Sequence, residues 1–280
     1  MNHINERVKL TSSCRDCDKL PRVHNAGSVV IEDGKKIQYM FNGLKINYES
    51  YHSPWMNDII RNLNGHHEPQ EELCFYYLLE LLDDDANMAE LGCFWAYYTM
   101  FFRNKIPNGK NVCIEPIYEK MTKGIENIKL NNFDESNITF IKGYIGSKYE
   151  KNTTFIDWDN SRLQLDQYNI EKIVNDSNLF FDIIHSDIQG AELVMLQGSK
   201  SVLDKIGFFV ISTHYDKHHQ CINFLNQNNF QILVQHTIQE SVSTDGLILA
   251  VNKNYIKKYE SKISCSIQEY FNTNCKISRR

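Results

Sequence analysis

The 280-residue chain lacks long hydrophobic runs, an excess of basic charge, and any internal repeat or low-complexity tract. Each absence removes a class of function. No apolar stretch approaches the roughly 18 residues of a membrane span. The opening Met1-Asn-His-Ile-Asn-Glu-Arg7 has none of the charged, apolar and small-residue regions of a secretory leader. A cytoplasmic protein with no membrane partner is the expectation. The net charge is -5 and the Lys and Arg residues are scattered, so there is no field of the kind that holds a phosphate backbone, and nucleic acid is not expected as a partner. The longest charge run, Asp83-Asp84-Asp85, reads as an acidic turn. With 42% hydrophobic residues the chain can bury a full core as one large domain with an extension.

The eight cysteines form no disulfide framework. Cys74, Cys93, Cys113 and Cys221 lie inside apolar segments, where a free thiol packs as a small hydrophobe. Cys14-Arg-Asp-Cys17, followed by His24, has the spacing of half a zinc site. The remaining cysteines outside the core segments, Cys265 and Cys275, would have to fold back to complete it, so free thiols are the preferred reading.

Two turn signals, Glu32-Asp33-Gly34 and Phe41-Asn42-Gly43, sit among β-formers and predict a small antiparallel unit. A short helix is expected from Pro54. The polar hinge Gly65-His66-His67-Glu68-Pro69 then opens a helix whose apolar face runs from Leu73 to Leu82. The boundary falls here: residues 1–65 as an extension and possible substrate lid, 66–280 as the main domain. Strands are predicted at 87–91, 111–115, 137–142, 180–187, 207–213, 230–236 and 246–251, with helical patterns between the first five. That alternation implies an α/β fold with a mainly parallel sheet, helices on both faces and an antiparallel terminal hairpin.

In such a sheet the ligand lies beyond the carboxyl ends of the strands. Those ends carry Glu90 and Gly92, then Glu115 and Pro116, then Gly143 and Tyr144, then His185, Asp187 and Gln189, and finally Ser212, Thr213 and His214. An acid-x-Gly turn paired with an acid at the next strand end suits a nucleoside, the second carboxylate accepting from ribose hydroxyls. The alternative is that Glu90 simply caps the following helix, the cofactor reading being preferred. The second and third glycines of the dinucleotide fingerprint are absent, which disfavours a diphosphate and with it a nicotinamide dehydrogenase. His185 and Asp187 project to one side of their strand. Glu192 reads as an acid complementing a helix dipole. Asp157-Trp-Asp159 is an acid pair that a nucleotide-sugar glycosyltransferase could use, although a solvated loop is the preferred account of it.

Four segments together resemble the FkbM family of S-adenosylmethionine-dependent methyltransferases: Glu68-Pro69, Glu90-Leu-Gly92-Cys-Phe-Trp-Ala96, Glu115-Pro116 and Asp187-Ile-Gln-Gly190-Ala-Glu192. The likeness runs from about Glu68 to about Asn252. Phe94 and Ala96 stand where the family carries Asn and Gly, and Gln189 where it carries an acid. The resemblance implies a Rossmann-like class I methyltransferase sheet and S-adenosyl-L-methionine as cofactor. It implies that Glu115 meets the ribose hydroxyls, Gly92 faces the cofactor and Glu68 meets its amino-acid end. Glu90, Phe94, Trp95, Pro116, Gly143, Tyr144 and Asp187 complete the expected cofactor surround. The expected reaction is O-methylation of a hydroxyl on a sugar, glycan or other small metabolite. His214 or Asp187 is the expected general base, the histidine being better matched to neutral pH. A divalent metal on His185, Asp187 and His214 is the lesser route. A domain that binds the cofactor without turnover is the other alternative, and a homodimer is left open.

Overall fold

The computed structural model describes residues 2–274 apart from 49, 52, 53, 158 and 159. Helix α1 (Asn2–Ser12) leads into a three-stranded antiparallel sheet of β1 (Val29–Glu32), β2 (Lys35–Tyr39) and β3 (Lys45–Asn47), turned where the two glycine signals lie. Helices α2 (Pro54–Asn62) and α3 (Pro69–Leu79) follow. Pro69 at the first helical position of α3 costs nothing there, because its missing N–H would have had no intrahelical partner.

The central sheet is built from β4 (Met88–Leu91), β5 (Asn111–Glu115), β6 (Ile138–Lys142), β10 (Phe181–Ser186), β11 (Ile206–Thr213), β12 (Phe230–His236) and β13 (Gly246–Asn252). Helices α4 (Tyr97–Lys105), α5 (Tyr118–Leu130), α6 (Ile170–Ser177), α7 (Glu192–Gln197) and α8 (His218–Gln227) make the connections. The strand order is β12-β13-β11-β10-β4-β5-β6, parallel from β11 to β6, with β13 antiparallel to both its neighbours. The order reverses between β4 and β10, which places the ligand crevice beside Gly92 and Asp187.

Alternation along the strands divides the core in two. Met88, Cys113, Ile183, Phe208 and Val210 face α3, α4 and the N-terminal unit. Ala89, Leu91, Ile114, Ile184, Phe209 and Ile211 face α6, α7 and α8. The same parity puts Glu90, Glu115, His185, Asp187 and Ser212 on the α3 and α4 face. The N-terminal unit contributes Met40, Phe41, Ile46, Met56 and Ile60 to that face's core. It is also tied to α5, where Asn131 and Asn127 accept the backbone N–H groups of Lys45 (2.8 Å) and Asn47 (3.0 Å).

Residues 144–168 form a second small sheet of β7 (Tyr144–Ile145), β8 (Glu150–Ile156) and β9 (Arg162–Tyr168) in the order β7-β9-β8. Asp157 lies in the β8–β9 connection, and Asp159 is outside the described residues. The chain closes with α9 (Ile256–Glu260) and α10 (Cys265–Asn274), the latter docked through Ile267, Tyr270 and Phe271. Among the described residues no helix is long and apolar enough to cross a membrane. Cys14 and Cys17 are buried free thiols, and the Cys17 Sγ donates to the Pro69 carbonyl at 2.8 Å. Burial raises both thiols above their ordinary range, Cys14 to about 11, which opposes the thiolate a zinc ion would need. Cys265 is exposed, and Cys275 lies outside the described residues.

Candidate active site

The turn after β4 is built on left-handed residues. Gly92 (φ +79), Phe94 (φ +41) and Ala96 (φ +57) all lie in that region, where only glycine is free of steric cost and Asn is well tolerated. This explains why Asn and Gly suit the two positions that Phe94 and Ala96 fill. Local contacts secure the conformation here. The Phe94 N–H donates to Glu115 Oε2 at 3.2 Å, and Gly124 of α5 leaves room for Ala96, whose Cβ would lie 3.1 Å from any side chain added there.

Gly92 has a packing task. A Cβ on it would sit 2.0 Å from the Asp187 carbonyl oxygen, so its bareness admits the neighbouring β10 turn. The Asp187 N–H reaches back to the Leu91 carbonyl at 3.0 Å, pinning the two turns together. Glu90 is likewise turned inward. Its Oε2 accepts the Thr99 N–H at 2.8 Å, capping α4, and burial raises its carboxyl to about 7.

Glu115 ends β5 almost fully buried. Its Oε1 accepts the Ile117 N–H at 2.9 Å while Oε2 takes Phe94, so each oxygen keeps a further lone pair for a ligand. Burial raises this carboxyl against the pull of those amides and of Lys120. Pro116 then turns the chain into α5. Gly143 is packed against the Tyr168 ring, where an added Cβ would lie at 2.7 Å, and the Tyr144 hydroxyl bonds Thr153 at 2.8 Å. These two residues face β8 and β9.

The first turn of α3 lays three acids along the strand ends. Glu71 Oε1 meets His185 Nε2 at 2.7 Å, and its Oε2 accepts the Ser212 hydroxyl at 2.5 Å. Glu72, completely buried, accepts from His66 Nδ1 (2.6 Å), His67 Nδ1 (2.6 Å), the His67 N–H (2.7 Å), the Glu68 N–H (3.2 Å) and the Tyr97 hydroxyl (3.2 Å). Burial opposes its ionisation, but His66 and His67 hold the carboxyl far below its ordinary range. Glu68, at the N-cap, faces His67 Nε2 at 3.1 Å and the Tyr98 hydroxyl at 3.4 Å.

Across the crevice, His214 closes β11. Its Nδ1 is held by Glu192 Oε1 at 2.8 Å, and its Nε2 lies 3.4 Å from Asp187 Oδ1 and 3.2 Å from Asp245 Oδ1. Glu192 thus orients an imidazole, beyond complementing the α7 dipole. Burial pulls the His214 pKa down, but Glu192, Asp187 and Asp245 outweigh it and raise it to about 9. Asp187 moves the opposite way from an ordinary carboxylate: burial, with Glu68, Asp245 and Glu71 adding, carries it to about 7 against the pull of His214. The pair thus sets an imidazolium beside a carboxylate of raised pKa, and these are the two groups expected as general base.

His185 does not join them. With its Nε2 on Glu71 and its ring against Tyr98 at 4.1 Å, it belongs to the α3 packing. No cluster of three metal-binding side chains occurs among the described residues, so His185, Asp187 and His214 do not converge as a ligand set. Sequence reading missed Asp245 because β13 is antiparallel: the start of that strand, not its end, lies at the crevice, with Gly246 opposite Thr213. It also missed Tyr51, which stacks on Trp95 at 4.6 Å and has no local motif to mark it.

Solved structures that the chain resembles at low identity include several methyltransferases. TrmK of M. capricolum, solved with S-adenosyl-homocysteine, is 14% identical with a TM-score of 0.44, covering 65% of this chain and 68% of its own. An rRNA methylase from Streptococcus thermophilus gives 11%, 0.46, 64% and 94%, and the ribosomal protein L11 methylase from Lactobacillus delbrueckii subsp. bulgaricus gives 15%, 0.44, 68% and 86%. No curated protein matches the chain. The methyltransferase FkbM domain matches residues 83–232, from the acidic turn before β4 into β12 and more than half of the sequence, and the chain belongs to the FkbM methyltransferase family.

Proposed function

We propose that this S-adenosylmethionine-dependent methyltransferase transfers its methyl group to a hydroxyl oxygen of a sugar, glycan or other small metabolite, with Asp187 as general base. The observation that carries this reading is the imidazole of His214, fixed by Glu192 and flanked at Nε2 by Asp187 and Asp245 beside the switch point of the sheet. The donor set fits the cofactor. Glu115 offers two carboxylate oxygens with spare lone pairs where ribose hydroxyls would lie, and Glu68, Asp187 and Asp245 make the other side of the crevice attractive to a cation.

When bound, S-adenosylmethionine supplies an electrophilic methyl on a positively charged sulfur. The protein's part is alignment and proton removal. Gln189 Nε2 donates to Asp187 Oδ1 at 2.8 Å, and Oδ2 makes no hydrogen bond among the described residues, leaving it for the acceptor. As the oxygen–carbon bond forms and the sulfur–carbon bond breaks, Asp187 takes the hydroxyl proton and His214, as the imidazolium, stabilises the carboxylate until then. Orientation can supply about 7–11 kcal/mol of the barrier in favourable cases.

Residues 1–65 are placed as a substrate lid in this reading. Tyr51 supports it by covering the Trp95 ring, and the Thr11 hydroxyl supports it by bonding the Val242 carbonyl at 3.0 Å, three residues before Asp245. The test is transfer of labelled methyl from S-adenosylmethionine to a panel of polyhydroxylated, amine and carboxylate acceptors. Product label stable to mild alkali, on hydroxylated compounds, is expected. Transfer to amines alone, or a label released as an alkali-labile ester, would sink the oxygen reading.

A further inference from the structure

The histidine pair ahead of α3 is not used by the reaction described above, yet one member is held in an unusual way. His67 is 2% exposed and both its ring nitrogens meet carboxylates, Nδ1 at Glu72 Oε1 (2.6 Å) and Nε2 at Glu68 Oε2 (3.1 Å). An imidazole satisfies two acceptors only when both nitrogens carry protons. Around it stand three parallel rings: Tyr51 on Trp95 at 4.6 Å, and Trp95 on Tyr97 at 5.0 Å. His67 lies nearly perpendicular to all three, at 5.5, 5.0 and 4.7 Å. Trp95 belongs to the same cofactor turn in which Phe94 and Ala96 depart from the family's Asn and Gly.

We propose that His67 is a positioning residue for the cofactor: a caged imidazolium that bridges Glu72 to Glu68 and holds the Glu68 carboxylate anionic and oriented toward the cofactor's ammonium group. This rests on the reading that Glu68 meets the amino-acid end of the cofactor. The groups facing Glu68 make the bridge necessary. Glu72 on α3, Asp187 after β10 and Asp245 before β13 are acids; His214 answers the last two and His66 shares Glu72, while His67 and Arg7 of α1 are the cations that act on Glu68, with the Tyr51 and Tyr98 hydroxyls as neutral donors. Without His67, Glu68 would sit half-buried among like charges and protonate near neutral pH.

The experiment has two arms on the full chain. In nitrogen-15 histidine spectra, the resonances lost in His67→Gln should show both ring nitrogens protonated at pH 8; a neutral tautomer there overturns the proposal whatever the variant's behaviour. In calorimetry with S-adenosylhomocysteine from pH 5.5 to 8.5, each variant's Kd is read as a ratio to the wild-type Kd at the same pH, since Asp187 titrates within this range in all of them. His67→Gln should weaken binding about tenfold or more at the acid end and recover as Glu68 ionises, while Glu68→Gln should weaken it about equally at every pH. If Glu68→Gln weakens binding and His67→Gln gives a flat profile, the positioning role fails and the Glu68 reading stands. If Glu68→Gln binds as the wild type does, the Glu68 reading itself fails.

Discussion

Replacing Glu115 with Gln tests the cofactor assignment without needing the acceptor. The change keeps shape and volume but turns one carboxylate oxygen into an N–H donor. In the native structure the two oxygens accept Ile117 N–H at 2.9 Å and Phe94 N–H at 3.2 Å. One of these amides must then face the new NH2 group, and a buried donor left without an acceptor costs about 1–3 kcal/mol. The Phe94 contact is the one to yield, being longer and lying on a left-handed residue that the contact helps to hold. The same substitution removes the charge from any bond to ribose hydroxyls, each charge-assisted bond contributing about 1.5–3 kcal/mol. Binding of S-adenosylhomocysteine, measured by calorimetry, should therefore weaken about 10- to 100-fold, with a fall in melting temperature of a few degrees. Glu115→Asp should keep the charge, shorten its reach, and fall between. A Gln variant that melts lower yet binds S-adenosylhomocysteine with unchanged Kd would show that Glu115 merely ties the two turns together, and the ribose assignment would be refuted.

Asp187→Asn should lower kcat about 10²- to 10⁴-fold while changing the Kd for S-adenosylhomocysteine far less, as expected for a general base; unchanged turnover would remove it from that role. Gly92→Ala should destabilise the fold by about 1–3 kcal/mol or more, since its Cβ would lie 2.0 Å from the Asp187 carbonyl at φ +79; a urea midpoint equal to wild type would contradict the interlock of the two turns. His67 should make stability fall in alkali. Against the pull of burial, Glu68 and Glu72 raise its pKa from 6.5 to about 10, so its contribution is complete below pH 6.5 and is lost as pH rises through 10, about 5 kcal/mol in all. Urea titrations of wild type and His67→Asn should converge over that range. His214 acts in the same direction in both proteins, so parallel curves would exclude His67 as the source.

The sheet was legible because burial on both faces leaves a strong mark. Every central strand is a short apolar run, and the seven expected spans lie within about two residues of β4, β5, β6, β10, β11, β12 and β13 at either end. The small β7-β9-β8 sheet left no such mark. Along β8 only Thr153 and Phe155 are even half-buried, so Glu150–Ile156 reads as polar loop until its pairing with β9 is seen. The acids at strand ends were legible as positions but not as roles. Glu90 and Glu115 both stand near the carboxyl ends of consecutive strands, yet one spends its oxygen on the Thr99 amide while the other holds two turns and keeps a lone pair on each oxygen. Which of these happens depends on the path of the following turn, and that path is set by left-handed residues a propensity reading does not anticipate at Phe94 and Ala96.

The division of labour between His214 and Asp187 follows from how many carboxylates surround one imidazole. With a single partner, a histidine at a strand end would titrate near neutrality and serve as a base itself. Here Glu192 alone would orient it, but Asp187 and Asp245 both crowd Nε2, and the histidine keeps its proton. Burial raises the Asp187 carboxyl and the charges of Glu68 and Asp245 add to it, against the pull of His214, so its pKa rises into the working range. In the proposed mechanism Asp245 is thus a control on the base as well as a neighbour of it. Asp245→Asn removes the repulsion on Asp187 and one competitor for His214, which should lower the acid limb of the kcat/KM profile, whereas a residue that only packed the loop would change stability and leave that limb in place.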